Sequence, residues 1–272
     1  MRRFTVVVVV LIAALVGIPA VASASPPPPD YVAVGDSFSS GVGTRTYFPD
    51  SGSCARSPLA YPALYRAAHR TSSFAFVACA GATVADVTGQ LDAVTRQTDL
   101  VTMTVGGNDV GFGAVLAACS GPPPSPEGCQ AAVAAGQAVI STIPNRVAGL
   151  LTKIRARAHP GAQIVVLGYP HLFGAGPCTA PGLPASSTRA AIDDGTGRLN
   201  HALSATAQAH GALFIDVSHR FAGHGACAEP QSRWINPPTG PSGESYHPNI
   251  RGHALGYLPA LDTALRHAAI AA

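Results

Sequence analysis

The sequence predicts an α/β fold with a five-stranded parallel sheet that is covered by helices on both faces. Five short apolar runs, rich in residues that favour strands, recur along the chain, and most are separated by helix-like stretches. The runs are almost continuously apolar, which is typical of strands buried on both sides. The strands are expected at Tyr31–Val34, Phe74–Ala78, Asp99–Val105, Gln163–Leu167 and Ala212–Val217.

Three longer stretches predict helices. Cys129–Ala158 is rich in Ala and carries Val, Ile and Leu at helical spacing, and Pro144 should kink or divide it. The other two are Ser187–His210 and Ile250–Ile270. Pro- and Gly-rich segments between the elements predict surface loops, of which the last two are long enough to border a site. These segments are Gly121–Gly128, Tyr169–Pro184 and Ala222–Ser245.

The first 24 residues predict a cleaved secretory signal peptide. Two arginines precede an uncharged apolar run, and Ala22-Ser23-Ala24 then supplies a small-residue cleavage site. The alternative is a membrane anchor, but the apolar stretch is shorter than the roughly 20 residues that a span needs. A lipid anchor at this point would need a cysteine, and the first one is Cys54. Residues 25–272 would then form a single exported domain.

The charge balance argues against a nucleic-acid partner. The full chain has 17 Lys and Arg, two of them in the signal segment, against 14 Asp and Glu, and no basic stripe remains. We therefore expect no nucleic-acid partner. We also expect a monomer and no stable membrane anchor.

Six cysteines in an exported chain indicate disulfides. None of them forms a C-x-x-C pair, so a zinc site is not expected. Six cysteines allow 15 pairings, among which the sequence does not choose. The most local option is the sequential one, Cys54–Cys79, Cys119–Cys129 and Cys178–Cys227.

Candidate chemistry lies just after the predicted strands, because ligands of open α/β sheets bind beyond the carboxyl ends of the strands. Ser37 follows the first strand, in "GDSFSSG", where it is either a nucleophile or, like Asp36, only a helix cap. Gly81 follows the second strand and offers a backbone N–H, unless it is only a turn glycine. Asn108 follows the third strand, in "GGND", and is either an oxyanion donor or a turn residue in the left-handed region.

His247 is the best placed of the ten histidines, because it lies in a loop that leads into the last helix. Glu244, three residues upstream, could fix the tautomer of the ring as the carboxylate of a triad does. The alternative is that a backbone carbonyl, that of Ser245, orients the ring.

"GDSFSSG", the Gly81 region, "GGND" and "SYHPN" together resemble the GDSL, or SGNH, hydrolases over essentially the whole mature chain. The resemblance implies a three-layer α/β/α, flavodoxin-like fold in which Ser37 is the nucleophile. It also implies an oxyanion hole made by Ser37, Gly81 and Asn108. The most similar members are secreted actinobacterial lipases and esterases with three sequential disulfides. Many members have Asp where this chain has Glu244, which leaves the third catalytic group open.

The expected activity is hydrolysis of small-molecule or lipid esters by a secreted serine esterase or lipase that needs no metal or cofactor. A carbohydrate esterase that removes acetyl groups from polysaccharide is the alternative enzyme, and an inactive binding module is the alternative outside the enzymes. The signatures G-x-S-x-G, H-E-x-x-H, G-x-x-x-x-G-K-[ST] and G-x-G-x-x-G are absent. Apolar residues in the two long loops, Leu172, Phe173, Leu183 and Trp234, are expected to line an acyl pocket.

Overall fold

The computed structural model describes Met1 and residues 27–120, 125–174, 176, 178, 180–239 and 242–271. Apart from Met1, the signal peptide predicted for residues 1–24 lies outside these residues. Apart from Met1, the described chain starts at Pro27, shortly before the first strand.

Five strands form one parallel sheet, as the sequence predicts, and the structure gives their order as β2-β1-β3-β4-β5. The strands are β1 Asp30–Ala33, β2 Ser73–Phe76, β3 Thr98–Met103, β4 Gln163–Leu167 and β5 Leu213–Ile215. Several of the apolar runs extend past the strand ends. Val34 and Val105, for example, lie outside the strands and are nonetheless fully buried. Backbone pairing with β3 continues at Val34, whose N–H donates to the Thr102 carbonyl over 3.1 Å.

The described residues contain nine α-helices, of which α1 and α8 are single turns. They are α1 Ser37–Ser40, α2 Tyr61–Ala68, α3 Val84–Gly89, α4 Phe112–Ser120, α5 Pro126–Ile140, α6 Ile143–Arg157, α7 Ser186–Ala209, α8 Ser218–Phe221 and α9 Leu258–Ala271. The stretch expected to be kinked or divided by Pro144 is two helices, α5 and α6. Pro144 lies in the first turn of α6, where the N–H that proline lacks has no partner in any case.

The last predicted helix begins with a π-helical segment, Gly252–Tyr257, before α9. Such segments are short and often lie at functional sites. This one carries the fully buried His253.

Helices cover the sheet as two separate groups. Helix α2 packs against α9, whereas α3, α5, α6 and α7 pack against one another. In the strand order 2-1-3-4-5 the direction in which successive strands are added to the sheet reverses between β1 and β3, which is where sheets of this type bind ligands. The carboxyl ends of β1 and β3 carry the segments with Ser37 and Asn108.

Three disulfides join the six cysteines in sequential order, Cys54–Cys79, Cys119–Cys129 and Cys178–Cys227. The first holds the loop after β2 close to the segment that follows α1, and the Ala80 N–H donates to the Cys54 carbonyl over 3.1 Å. The second joins α4 to α5. In the part of the chain that the structure describes, no helix is both long and apolar enough to span a bilayer.

Candidate active site

Ser37 is the first residue of α1, immediately beyond the end of β1. The turn requires Gly35, whose φ of +121° is unfavourable for other residues. Asp36 is the N-cap of α1, and its carboxylate accepts from the Phe38 N–H over 3.0 Å. Because Asp36 supplies the cap, the Ser37 hydroxyl is left available for another partner.

That partner is His247. Its Nε2 lies 2.8 Å from Ser37 Oγ, although the two residues are 210 positions apart in the chain. Its Nδ1 lies 3.0 Å from the Ser245 carbonyl oxygen. A carbonyl can only accept, so Nδ1 carries the proton and Nε2 presents a lone pair to the Ser37 hydroxyl. Burial lowers the pKa of His247 to about 4, which keeps the ring neutral near neutral pH.

Glu244 is bound elsewhere. Its carboxylate accepts from Arg45 Nε over 3.1 Å and from the Tyr47 hydroxyl over 2.8 Å. The structure thus places the carbonyl of Ser245, and not the Glu244 carboxylate, against the His247 ring. Glu244 instead ties the loop before His247 to the segment that follows α1.

Tyr246, between the carbonyl and the histidine, has a left-handed backbone with φ of +61°. Such a conformation is unfavourable for a bulky residue and needs support from its surroundings. The support comes from burial, from a 2.9 Å bond between the Tyr246 N–H and the Asn236 carbonyl, and from a 2.7 Å bond between its hydroxyl and Ser120. This turn brings the Ser245 carbonyl and the His247 ring together.

Three segments at the site carry N–H groups of the kind that stabilise an oxyanion. Among the described residues, neither the Ser37 N–H nor the Gly81 N–H has an acceptor. Gly81 has φ of +81°, and a Cβ there would touch nothing within 4 Å. One hydrogen of Asn108 Nδ2 is donated to the Ala82 carbonyl over 2.9 Å, which leaves the other free.

Asp109 joins two of these segments. Its Oδ2 accepts from the Val84 N–H over 2.9 Å, and its Oδ1 lies 3.2 Å from Arg146 Nη1. With the bond from Asn108 to Ala82, this makes two links between the loop after β3 and the loop that carries Gly81. Sequence reasoning missed this role, although Asp109 directly follows Asn108 in "GGND".

A second buried carboxylate, that of Asp36, holds β1 and β3 together at the site. It accepts from the Thr104 hydroxyl over 2.6 Å and from the Tyr169 hydroxyl. The Tyr169 oxygen in turn accepts from the Gly107 N–H over 3.1 Å. Burial raises the pKa of Asp36, while these hydrogen bonds oppose the rise. From the sequence, Asp36 was predicted only to support the turn, and Tyr169 was predicted only as the first residue of a loop.

A cleft opens beside Ser37 and contains about 700 Å³ of empty space, including its open mouth. Its walls are largely apolar and come from α4, α5 and α7 as well as from the segment after β4. Of the four residues expected to line an acyl pocket, Leu172 does so, whereas Phe173, Leu183 and Trp234 are not among the lining residues. The prediction missed the helical walls, which include Phe112, Val133 and Ile140, because it considered only the two long loops.

The arrangement contains the parts that acyl transfer needs. A serine hydroxyl lies against the unprotonated nitrogen of an oriented imidazole, and unpaired N–H donors lie on neighbouring loops. Among the described residues, no group of three or more His, Cys, Asp or Glu side chains is arranged to hold a metal ion.

A family model described as the GDSL-like lipase/acylhydrolase family matches residues 33–255. The chain belongs to this family. It is a carboxylic ester hydrolase. Lipase 1 of Streptomyces coelicolor is 40% identical to it over 277 residues, which cover 97% of this chain and all of that one.

Solved structures agree with this assignment. The crystal structure of an extracellular lipase from Streptomyces rimosus is 41% identical in sequence to this hydrolase, with a TM-score of 0.81. A phospholipase A1 from Streptomyces albidoflavus is 40% identical, also with a TM-score of 0.81. Each comparison covers 87% of this chain and 99% of the other.

Proposed function

We propose that this hydrolase is a secreted lipase or esterase that cleaves fatty acyl esters through a Ser37–His247 dyad. The observation that carries the proposal is the 2.8 Å contact between His247 Nε2 and Ser37 Oγ, with the opposite ring nitrogen held by the Ser245 carbonyl. The dyad belongs to one chain, so we take the monomer to be the active unit.

In the acylation step His247 Nε2 takes the proton of the Ser37 hydroxyl as its oxygen attacks the ester carbonyl carbon. The resulting imidazolium keeps its Nδ1–H on the Ser245 carbonyl. The negative charge on the former carbonyl oxygen is stabilised by the N–H groups of Ser37 and Gly81 and by Asn108 Nδ2. When the tetrahedral intermediate collapses, the bond to the alcohol oxygen breaks and that oxygen receives the proton from Nε2.

Deacylation repeats the same steps with water as the nucleophile. His247 Nε2 takes a proton from water, and the resulting hydroxide attacks the acyl carbon. The same donors hold the oxyanion. The bond to Ser37 Oγ then breaks, Nε2 returns the proton to this oxygen, and the carboxylic acid leaves. The protein supplies orientation and electrostatic stabilisation, and loss of one oxyanion donor typically lowers kcat by about 10²–10³.

The apolar cleft favours a fatty acyl chain over an acetyl group. An acyl chain that lies in the cleft gains by burial about 0.8 kcal/mol per CH₂ group, whereas an acetyl group has no CH₂ to bury. The relatives named as lipases and as a phospholipase A1 support the same substrate class. Secretion is supported by the N-terminal signal pattern, the three disulfides and the extracellular relative.

The test compares Ser37→Ala with Ser40→Ala in the purified mature protein. Ser40 lies in the same short helix, and within the described part of the chain its hydroxyl donates only to the Ser37 carbonyl, over 3.3 Å. We expect Ser37→Ala to abolish hydrolysis of p-nitrophenyl esters and labelling by a fluorophosphonate probe while the protein remains folded. Ser40→Ala should retain both. Activity that survives Ser37→Ala would refute the assignment of the nucleophile.

Two further assays on the same protein distinguish the two alternative functions from the proposed one. Faster release of acetate from acetylated xylan than of fatty acid from acyl esters would identify a carbohydrate esterase. No labelling of the wild-type protein by the fluorophosphonate would identify an inactive binding module.

A further inference from the structure

Helix α7 contains an interior glycine, Gly195, that the packing of the protein does not require. A Cβ at this position would meet no atom closer than 3.9 Å, where it would touch Gln137 Cγ of α5. The backbone of Gly195 also lacks a left-handed φ, so an alanine could adopt its conformation. Glycine in a helix interior is nonetheless destabilising relative to alanine.

Gly136, on the opposite helix α5, shows the contrast. It also lines the cleft, but a Cβ there would lie 2.7 Å from the Val110 carbonyl oxygen. Close packing of α5 on the segment after β3 therefore explains Gly136. Nothing comparable explains Gly195, and the space that its missing side chain leaves belongs to the cleft beside Ser37.

We propose that Gly195 sets the length of acyl chain that the cleft accepts, by keeping the wall formed by α7 free of a side chain. This inference rests on the proposed function, because it assumes that the acyl chain lies in this cleft. The neighbours of Gly195 in the lining, Ile192 and Leu199, provide apolar contacts along the same wall. A side chain at position 195 would occupy space that otherwise holds methylene groups of the substrate.

The experiment measures kcat/KM of Gly195→Ala and Gly195→Leu for p-nitrophenyl acetate, butyrate, octanoate, laurate and palmitate. The matched controls are Gly197→Ala on α7 and Gly149→Ala on α6. Neither control position lines the cleft, and a Cβ at either has no contact closer than 3.7 Å. The three alanine variants should each raise the midpoint of thermal unfolding by about 2–4 °C, because alanine is the better helix former.

We expect Gly195→Leu to hydrolyse the acetyl and butyryl esters within about twofold of wild type. For the longest chains kcat/KM should fall by about fourfold per methylene that is no longer buried, or about 60-fold for three methylenes. Gly195→Ala should lower the ratio of long-chain to short-chain kcat/KM by about fourfold. This variant keeps the test decisive if the leucine variant does not fold. The two controls should leave the ratio of long-chain to short-chain kcat/KM unchanged.

Equal loss on all esters in both Gly195 variants, an unchanged ratio, or an equal shift in the controls would overturn the inference. These outcomes would not contradict the proposed function, as long as the wild-type protein hydrolyses acyl esters through Ser37. Failure of the wild-type protein to hydrolyse any acyl ester would instead refute the proposed function itself.

Discussion

Replacement of Glu244 by glutamine decides whether a carboxylate or a carbonyl orients His247. The Glu244 carboxylate contacts Arg45 and Tyr47, and the Arg45 side chain is 59% exposed. Ion pairs at this exposure stabilise a protein by about 0.2–1 kcal/mol. A glutamine can still accept one hydrogen bond from Tyr47. We therefore expect Glu244→Gln to lower the free energy of unfolding by about 1 kcal/mol and kcat/KM by less than about fivefold. A carboxylate that orients a triad histidine is worth about 10⁴ in kcat.

The assay is the hydrolysis of p-nitrophenyl butyrate by wild type, Glu244→Gln, Glu244→Ala and His247→Ala, with urea unfolding measured on the same preparations. Glu244→Ala is expected to lose more stability than Glu244→Gln, because the loop before His247 is no longer tied to Arg45 and Tyr47. A loss of kcat in Glu244→Gln comparable to that in His247→Ala would show that the carboxylate, and not the Ser245 carbonyl, orients the ring.

Three further predictions follow from buried groups around the site. His247 must be neutral to act as a base, and its pKa is about 4. We therefore expect kcat/KM to stay constant as the pH falls to about 5 and to decline only around pH 4. A decline in kcat/KM centred near pH 6.5 would contradict the argument that burial lowers this pKa. Burial also holds the pKa of His253 at about 3, so the unfolded chain binds more protons than the folded one between pH 6.5 and 3. The free energy of unfolding should thus fall by about 2 kcal/mol from this residue between pH 7 and 5, measured as the difference in urea stability between wild type and His253→Gln. Asp109→Ala removes the acceptor of the Val84 N–H and should lower kcat about tenfold with little change in KM. Asp109→Asn keeps an acceptor and should recover most of this loss. Equal losses of kcat in both variants would indicate that the ion pair with Arg146 matters instead.

The alternation of apolar runs and helical stretches was enough to predict the sheet, because buried parallel strands and the helices that cover them leave different periodicities in a sequence. Pro144 likewise indicated where one long helical stretch divides into two. The boundaries of the strands were less well predicted. Val34 and Val105 lie beyond the strand ends and are fully buried, and burial in a strand and burial beyond it require the same residue types.

Other parts of the site had no local signal. Asp109 and Tyr169 act through partners that lie 25 and 133 residues away in the chain, and a single polar residue after a strand does not reveal which distant backbone it will bind. The walls of the cleft were missed for a related reason, because a side chain that faces a cleft and one that faces the core are both apolar.

The sequence by itself predicted how strands and helices follow one another along the chain. It also predicted the four segments that carry Ser37, Gly81, Asn108 and His247, and it indicated the hydrolase family by resemblance. Only the tertiary structure shows which acceptor lies against His247 Nδ1, namely the Ser245 carbonyl. Glu244 and the Ser245 carbonyl are adjacent in the sequence and equally able to accept a hydrogen bond. The choice between them depends on the left-handed turn at Tyr246 and on Arg45 and Tyr47, which draw the Glu244 carboxylate away from the ring across about 200 residues of chain.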